Sequence, residues 1–386
     1  MEQLRQRAFA RTVARVGGRL TRLSRRAAGR WRPVCPVEAV PGGQITTVRP
    51  PEPVGLARPN HIADADWQAM RLRTRDRFEA CRVAILPEIV IRGTASWLFT
   101  KDGRAIDGLW AKQGGDPFRA LMADFDPVSL DELANAIRLD GTTLILNQIF
   151  SENFFHFTSQ VLPRLALMSE VVDVQAVDHV ITPSPLRGFM RAWLLKLGFT
   201  DDQLIPMPDL PVICERAVVT NNPGDDNGLP AWAIDYLRQK MSPVPAAQSR
   251  RLFITRDDAP TRRLLNQNAL QPLIEEHGFE SVSMSGRSVA EQADLFASAD
   301  VILGVHGAAL VNLVFAKPGT RVVELIPKNH LNPCFLRLAQ TAGLAHRLVM
   351  GLEAPHPLAL MRQDIRADLT VDPLGLSEVL RVACQA

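Results

Sequence analysis

The predicted fold is decided by one stretch of the chain, SVAEQADLFASADVILGVHGAALVNLVFAKPGTRVVELIP at residues 288–327. Ser288 and Glu291 have the spacing of a capping box, which predicts a helix start. The apolar run DVILG then predicts a buried strand, GAALVNLVF a helix, and RVVELIP a second strand. Helices that alternate with apolar strands imply a parallel sheet covered by helices, so the fold class is α/β.

The same alternation extends in both directions. Just before this stretch, RRLFITR at 250–256 predicts a strand and RRLLNQNALQPLIEEHG at 262–278 a helix, and after it NPCFLRLAQTAG predicts a helix and LAHRLVMG a strand. On the N-terminal side, strands are predicted at 82–91, 140–150, 178–183 and 211–220. A helix is expected after Ser151 as N-cap, with a kink or break at Pro163.

The length and the turn signals predict two domains with flanking segments. The 386 residues suit two domains of ordinary size, and the turn-rich stretch NNPGDDNGL at 221–229 marks the junction between them. The expected boundaries are a tail at 1–32, a Pro/Gly-rich connector at 33–60, domains at 61–230 and 231–372, and a terminal helix at 373–386.

The net charge of +3 is unevenly distributed. Residues 1–32 contain ten arginines and one acid, so they carry +9, whereas the remaining chain carries −6. A mildly acidic body argues against a nucleic-acid-binding surface. The basic tail predicts either an amphipathic helix on an anionic membrane surface or a disordered segment; it also has the composition of a transit peptide.

The cysteines and the N-terminus indicate the compartment. Five scattered cysteines without a CxxC pair predict buried thiols rather than disulfides or structural zinc. The N-terminus lacks the apolar core of a secretory signal. We therefore expect a cytoplasmic protein, attached at most peripherally to the inner membrane.

The turn between DVILG and the next helix predicts an anion site. Ligands of open parallel sheets bind beyond the carboxyl ends of the strands. Gly307, Ala308 and Ala309 allow close approach to the backbone, and a helix N-terminus favours an anion. His306 lies at this edge, and Glu324 follows on the next strand, where a carboxylate can accept from ribose hydroxyls. Tight packing by the glycines and a structural histidine are the alternative.

Arginines near the preceding strand strengthen the anion interpretation. Arg256 ends the strand at 250–256, and Arg262 and Arg263 open the predicted helix, where they oppose the helix dipole. Guanidinium groups match phosphate oxygens. The GxGxxG, GxxxxGK[ST] and GxSxG patterns are missing from the sequence, so dinucleotide, ATPase-type and esterase sites are not predicted.

The N-terminal half contributes His156, within SENFFHFTSQVLPRL. A histidine can take the proton of an acceptor hydroxyl as general base, although a packed helix histidine is an equal alternative. Asn153 is a candidate ligand-orienting or capping residue, and Arg164 a surface residue or second cation. The acid pairs of the sequence lie in turn-like contexts, so neither a metal nor another cofactor is predicted.

Three ordered blocks of this chain resemble the family 61 glycosyltransferases, which include capsular-polysaccharide biosynthesis proteins. The blocks are NFFHFTSQVLPRL (153–165), FITRDDAPTRRLLNQNAL (253–270) and the stretch 288–327. Asn266 and Asn312 lie within them as supporting residues. Thr255 stands where a serine is common, and Phe154-Phe155 replaces a more usual tyrosine-containing pair.

The resemblance implies a GT-B architecture, two Rossmann-like domains with mainly parallel sheets that face a central cleft. It also implies inverting, metal-independent transfer from a nucleotide sugar, often a UDP-sugar, to a cell-surface polysaccharide or lipid-linked glycan. Arg256, Arg263, His306 and Glu324 match the donor side of the pattern, and His156 matches the histidine of the first block. A non-catalytic glycan-binding scaffold and a GT-B-type epimerase remain as alternatives.

Overall fold

The computed structural model describes residues 35–59, 62–93, 95–109, 133–224, 228–257, 259–354 and 367–385. The predictions for residues 1–32 concern a segment outside these ranges. The strands are β1 Cys35–Pro36, β2 Gln44–Arg49, β3 Glu52–Pro53, β4 Arg77–Phe78, β5 Cys81–Arg92, β6 Trp97–Phe99, β7 Ile106–Asp107, β8 Ile137–Ile145, β9 His179–Thr182, β10 Leu204–Pro206, β11 Val212–Thr220, β12 Arg250–Ile254, β13 Glu280–Val282, β14 Ala299–Val305, β15 Arg321–Pro327, β16 Ala345–Ala354 and β17 Asp368–Thr370.

Helices connect most of these strands. The α-helices are α1 Asp64–Arg71, α2 Phe154–His156, α3 Leu162–Met168, α4 Gly188–Lys196, α5 Ala231–Met241, α6 Gln267–Glu276, α7 Val289–Ala297, α8 Cys334–Thr341 and α9 Pro373–Cys384. A π-helical segment, Phe157–Val161, joins α2 to α3. The 3₁₀ helices are Val37–Ala39, Asp201–Gln203 and Ala308–Phe315.

The first sheet has the strand order β10-β9-β8-β11-β5-β2, with β6 also paired to β5. The strands from β10 to β11 run parallel, whereas β5 is antiparallel to its partners β11, β2 and β6. The Pro/Gly-rich stretch predicted as a connector thus contributes an edge strand, β2, to this sheet. The Thr and Val side chains of β2 favour a strand. The many prolines around it led to the prediction of an extended connector, and the pairing with β5 was missed.

The second sheet has the order β13-β12-β14-β15-β16-β17 and is parallel except for β17. The predicted alternation of strands and helices is confirmed here, including the capping box in which Ser288 and Glu291 bond each other's backbone amides. Strand β14, which is buried except at Asp300, lies in the middle of the sheet. Its carboxyl end therefore lies between the ends of β12 and β15.

Apolar packing joins the two sheets. One hydrophobic cluster contains residues of both, and Trp193 from α4 stacks on Phe315 with ring centroids 6.3 Å apart. Helix α1 lies between β2 and β5 of the first sheet in sequence, yet its Trp67 and Met70 pack with Ile326 of the second sheet. The edges that carry the predicted site residues are therefore held in one packed body.

Three local predictions need correction. Asn153, rather than Ser151, caps the helix, because its side chain accepts from the amide of Phe155. Pro163 does not break the helix, since the π-helical segment before it changes the hydrogen-bond pattern that a proline would disrupt. The helix predicted from residue 262 begins only at Gln267.

Candidate functional site

The carboxyl edge of the second sheet brings together the first two predicted site residues. Ile254 of β12 pairs with Gly304 of β14, and Arg256 and His306 each follow two residues later. Because side chains alternate along a strand, residues two positions beyond a pair of opposed residues point to the same face of the sheet, so Arg256 and His306 share one face. The backbone amide of His306 continues the parallel pairing by donating to Leu325 at 2.8 Å.

The guanidinium of Arg256 lies directly over Gly307. A β-carbon at residue 307 would overlap Nη1 of Arg256, so the guanidinium keeps this position only while residue 307 is glycine. The guanidinium is further held by hydrogen bonds to the carbonyls of Thr261 at 2.9 Å and Arg262 at 3.3 Å. Gly307, which was predicted to allow close approach of a ligand, therefore also gives room to the guanidinium of Arg256.

Glu324 does not have the role that was predicted for it. Its side chain is fully buried, with Oε1 2.5 Å from Nδ1 of His306 and Oε2 2.9 Å from Nε2 of His346. Burial alone would raise the pKa of this carboxyl, but hydrogen bonds and charges of the two histidines hold its pKa at about 2. Both oxygens are occupied, so Glu324 cannot reach a ribose; it instead orients His306.

The surroundings of His306 are electropositive. Burial, together with the charges of Arg262 and Arg256, lowers the pKa of His306 despite Glu324. Nδ1 of His306 carries a proton that it donates to Glu324. Burial also lowers the pKa of Arg262, whose backbone has a φ of 55°. A left-handed φ is rare for a side chain of this size and is found where function or packing requires it.

His330 packs edge-on against His306, with ring centroids 5.2 Å apart. Burial first, and then the charges of His306, Arg262 and Arg73, lower the pKa of His330 to about 3. A buried neutral histidine beside cations indicates a site with an excess of positive charge, which favours an anionic ligand.

Arg263 and Asn266 support the chain instead of facing a ligand. The exposed guanidinium of Arg263 is paired with Asp368 at 2.7 Å, and its backbone amide donates to the same carboxylate. Asn266 exchanges two hydrogen bonds with the backbone of Val371. These contacts fasten the loop after Arg256 to β17 and α9, so the predicted role of Arg263 on a diphosphate is not supported.

Residues 308–315 form the helix predicted for GAALVNLVF, and it is a 3₁₀ helix. Ala308 and Ala309 at its start are partly exposed, whereas the following six residues are buried. Asn312 is buried and donates to Gln292 at 2.9 Å and to the carbonyl of Ala309 at 3.0 Å. Asn312 thus fixes the first turn of this helix against α7.

His156 is held in one tautomer by a neighbouring amide. Its Nδ1 lies 3.0 Å from Oε1 of Gln160, and the same oxygen accepts from Nε2 of Gln148 at 3.0 Å. An amide oxygen only accepts, so Nδ1 carries the proton and Nε2 is left with a lone pair. Within the described ranges, no residue bonds this Nε2. Burial lowers the pKa of His156, which keeps Nε2 available as a base.

Arg164 is buried rather than a surface cation. Its guanidinium donates to the carbonyls of Ile145 at 2.9 Å and Leu146 at 3.2 Å, and burial lowers its pKa to about 10. These carbonyls lie at the carboxyl end of β8. Arg164 therefore ties the helix that carries His156 to the strand that precedes it.

The two halves of the site meet through direct packing. Helix α2 packs against the 3₁₀ helix Ala308–Phe315. Phe155 contacts His156 on one side and Phe335 on the other, with centroid distances of 5.2 and 5.6 Å, and Phe335 contacts His306 at 5.0 Å. The structure thus brings His156 and the carboxyl edge of the second sheet, where His306 lies, to one place.

Sequence reasoning missed Gln160, His330 and His346. Gln160 is four residues after His156 on a helix, a spacing that places the two side chains together and could have suggested the pair. His346 lies on β16, the strand next to that of Glu324. Its contact with Glu324 could therefore have been predicted once the strand order was known. For His330, in a loop, the sequence offers no such signal.

Across the part of the chain that the structure describes, no group of three or more His, Cys, Asp or Glu side chains is arranged to hold a metal ion. Over the same residues, the helices are too short or too polar to cross a membrane. All five cysteines are free thiols, and Cys384 alone among them is partly exposed.

The geometry can be compared with known proteins. Residues 154–323 match the family model Glycosyltransferase 61. The match begins beside His156 and ends one residue before Glu324. It therefore contains both halves of the site, from the tautomer-fixing helix to the 3₁₀ helix.

Curated relatives from rice (Oryza sativa subsp. japonica) point the same way. A β-1,2-xylosyltransferase is 38% identical over 89 residues, and two α-1,3-arabinosyltransferases are 35% identical over 88 and 86 residues. The matched segments cover 22–23% of this chain and 15% of each relative. These similarities and the family model support the resemblance to family 61 glycosyltransferases.

Proposed function

We propose that this protein is a glycosyltransferase that moves a sugar from a nucleotide-sugar donor to a glycan acceptor. One observation carries the proposal: helix α2, with its base His156, packs against the 3₁₀ helix that follows His306. A proton acceptor and an electropositive strand edge are thereby adjacent, and transfer from a diphosphate donor needs both.

The donor's diphosphate would bind at the carboxyl edge of β12 and β14. Arg256 lies at this edge, and the charges of Arg262 and Arg256 both lower the pKa of His306. The first turn of the 3₁₀ helix adds backbone amide groups, which favour an anion. Because the chain's own cations offset the charge of the leaving diphosphate, the proposed reaction proceeds without a metal.

The proposed chemistry is a single displacement with inversion. Nε2 of His156 takes the proton of the acceptor hydroxyl while the hydroxyl oxygen attacks the anomeric carbon. The bond between that carbon and the diphosphate oxygen breaks, and the nucleoside diphosphate leaves with the electron pair. The two sheets would form the facing Rossmann-like domains of a GT-B architecture, with the reaction between their edges.

The named activities of the rice relatives favour a pentose as the transferred sugar. We propose a UDP-sugar as donor, as the resemblance to family 61 glycosyltransferases implies. We propose a cell-surface polysaccharide or a lipid-linked glycan as acceptor. Residues 1–32, with their charge of +9, would hold the enzyme at the cytoplasmic side of an anionic inner membrane.

A thermal-shift panel of UDP, GDP, CMP and dTDP tests the donor site, since a ligand that binds the folded state raises the melting temperature. We expect one of them to stabilise the wild type and to lose this effect in Arg256→Gln. The control is Arg250→Gln at the other end of the same strand, where an ion pair with Glu280 is solvent-exposed. If none of the four nucleotides shifts the melting temperature, the donor site is wrong.

Release of free nucleoside diphosphate from UDP-xylose and UDP-arabinose tests the base. His156→Ala should keep the nucleotide-induced shift and lose transfer by about 100-fold or more, while His179→Gln, at the start of β9, should transfer normally. Equal loss of nucleotide binding and transfer in His156→Ala would remove the assigned role. Glycan binding without transfer by the wild type would favour a non-catalytic scaffold.

A further inference from the structure

An exposed aromatic side chain lies beside His156. Phe150 leaves 49% of its surface open to solvent, and its ring centroid is 5.8 Å from that of His156, with the ring planes tilted by 34°. The backbone of Phe150 has a φ of 62°, a left-handed conformation that is unfavourable for a residue with a β-carbon. Neither the exposure nor the backbone conformation contributes to folding stability.

Buried hydrogen bonds hold the turn in this conformation. Oγ of Ser151 lies 2.8 Å from Oδ1 of Asn147 and 2.7 Å from the carbonyl of Gln148, and Asn147 donates to Oγ of Ser96 at 2.9 Å. The amide of Asn153 donates to the carbonyl of Phe150 at 3.0 Å. A strained residue persists only where its surroundings fix it, and such residues cluster at ligand sites.

We propose that the ring of Phe150 is the platform on which a sugar ring of the acceptor glycan stacks. The C–H groups of a sugar face carry partial positive charge, and they meet the negative face of the aromatic ring. The ring of Phe150 contacts that of His156, the proposed base for the acceptor hydroxyl, which assigns Phe150 to the acceptor. The stacked sugar would present its hydroxyl to Nε2 of His156. This inference rests on the proposed function.

Four variants separate the aromatic face from other effects. Phe150→Trp keeps the face, Phe150→Leu keeps apolar area without it, and Phe150→Ala removes both. Phe150→Gly also relieves the left-handed backbone, so it should be at least as stable as Phe150→Ala. Leu210→Ala is the matched control, because Leu210 is 50% exposed in the loop before β11, at the opposite edge of the first sheet.

Binding is measured first by saturation-transfer NMR with xylotetraose, maltotetraose, cellotetraose and chitotetraose, without donor. We expect at least one to bind the wild type, the Trp variant and the Leu210 control, and to lose about tenfold in affinity in the Leu, Ala and Gly variants of Phe150. Unchanged affinity in Phe150→Ala, or no binding of any tetrasaccharide to the wild type, overturns the proposal.

Kinetics with UDP-xylose or UDP-arabinose then locate the effect. Phe150→Ala should raise the KM of the acceptor about tenfold and leave the KM of the donor unchanged; a raised donor KM instead would overturn the assignment. The failure of the proposed function would give a different result. If the wild type binds a glycan through Phe150 but neither binds nucleotides nor transfers sugar, Phe150 is still a glycan-stacking residue and the proposed glycosyltransferase activity is wrong.

Discussion

His330 allows a quantitative test of the buried histidines around the site. The residue is 7% exposed, its Nδ1 has no hydrogen-bond partner among the described residues, and its pKa is lowered from 6.5 to about 3. Burial is the main cause, the charges of His306, Arg262 and Arg73 add to it, and Glu324 opposes it. The perturbation is His330→Phe, which keeps an aromatic ring against His306 and removes the titrating group.

The direction follows from proton binding. Between pH 6.5 and about 3 the unfolded chain binds a proton at residue 330 that the folded protein does not bind. The free energy of unfolding of the wild type therefore falls as the pH falls through 6.5, with a limiting slope of about 1.4 kcal/mol per pH unit. Between pH 7.5 and 5.0 this one group costs about 2 kcal/mol.

Urea unfolding of the wild type and His330→Phe at pH 7.5, 6.5, 5.5 and 5.0 measures the effect. The difference in unfolding free energy should move by about 2 kcal/mol in favour of the variant across this range. Leu210→Ala, which removes an exposed side chain without a titrating group, is the control and should run parallel to the wild type. Parallel curves for wild type and His330→Phe would refute the argument, because they would mean that His330 takes up its proton in the folded state.

Three further outcomes are expected at the site itself. Gly307→Ala displaces the guanidinium that covers residue 307 and should lower kcat/KM about 100-fold. The control Gly188→Ala, where a β-carbon meets no atom within 4 Å, should leave kcat/KM unchanged. Equal activity of the two variants would contradict the role of the Arg256–Gly307 contact. Gln160→Glu puts a carboxylate on Nδ1 of His156 and should raise the pKa of that histidine, so the acid limb of the kcat/KM profile moves to higher pH; an unmoved limb would exclude His156 as the base. UDP binding should draw a proton onto His306, whose pKa is lowered without ligand, so calorimetry in two buffers should show proton uptake and His306→Asn should abolish it.

The site was predictable from sequence where its residues follow strand ends. The run DVILGVH predicted a buried strand that ends near His306, and FITR did the same for Arg256. Both residues lie at the carboxyl edge, and the structure places their strands side by side. Local pattern was sufficient here because burial and side-chain alternation are properties of the strand itself.

Partners distant in the sequence were not predictable. Glu324 has the right position for a ribose ligand, but His346 and His306 occupy its two oxygens. Arg263 has the right charge for a phosphate, but Asp368, 105 residues later, neutralises it. A side chain's charge is visible in the sequence, whereas its partner depends on which elements pack together.

The sequence by itself thus determined the α/β alternation, the capped helix at Ser288 and the basic residues at the strand ends, because short-range sterics, capping and periodic burial set these features. Only the tertiary structure decided that β2 joins the first sheet, that α2 lies against Ala308–Phe315 and that Gln160 fixes the tautomer of His156. The position of β2 and the packing of α2 depend on contacts between segments far apart in the chain. The tautomer of His156 depends on the orientation of one amide in a buried network. A local sequence pattern encodes neither.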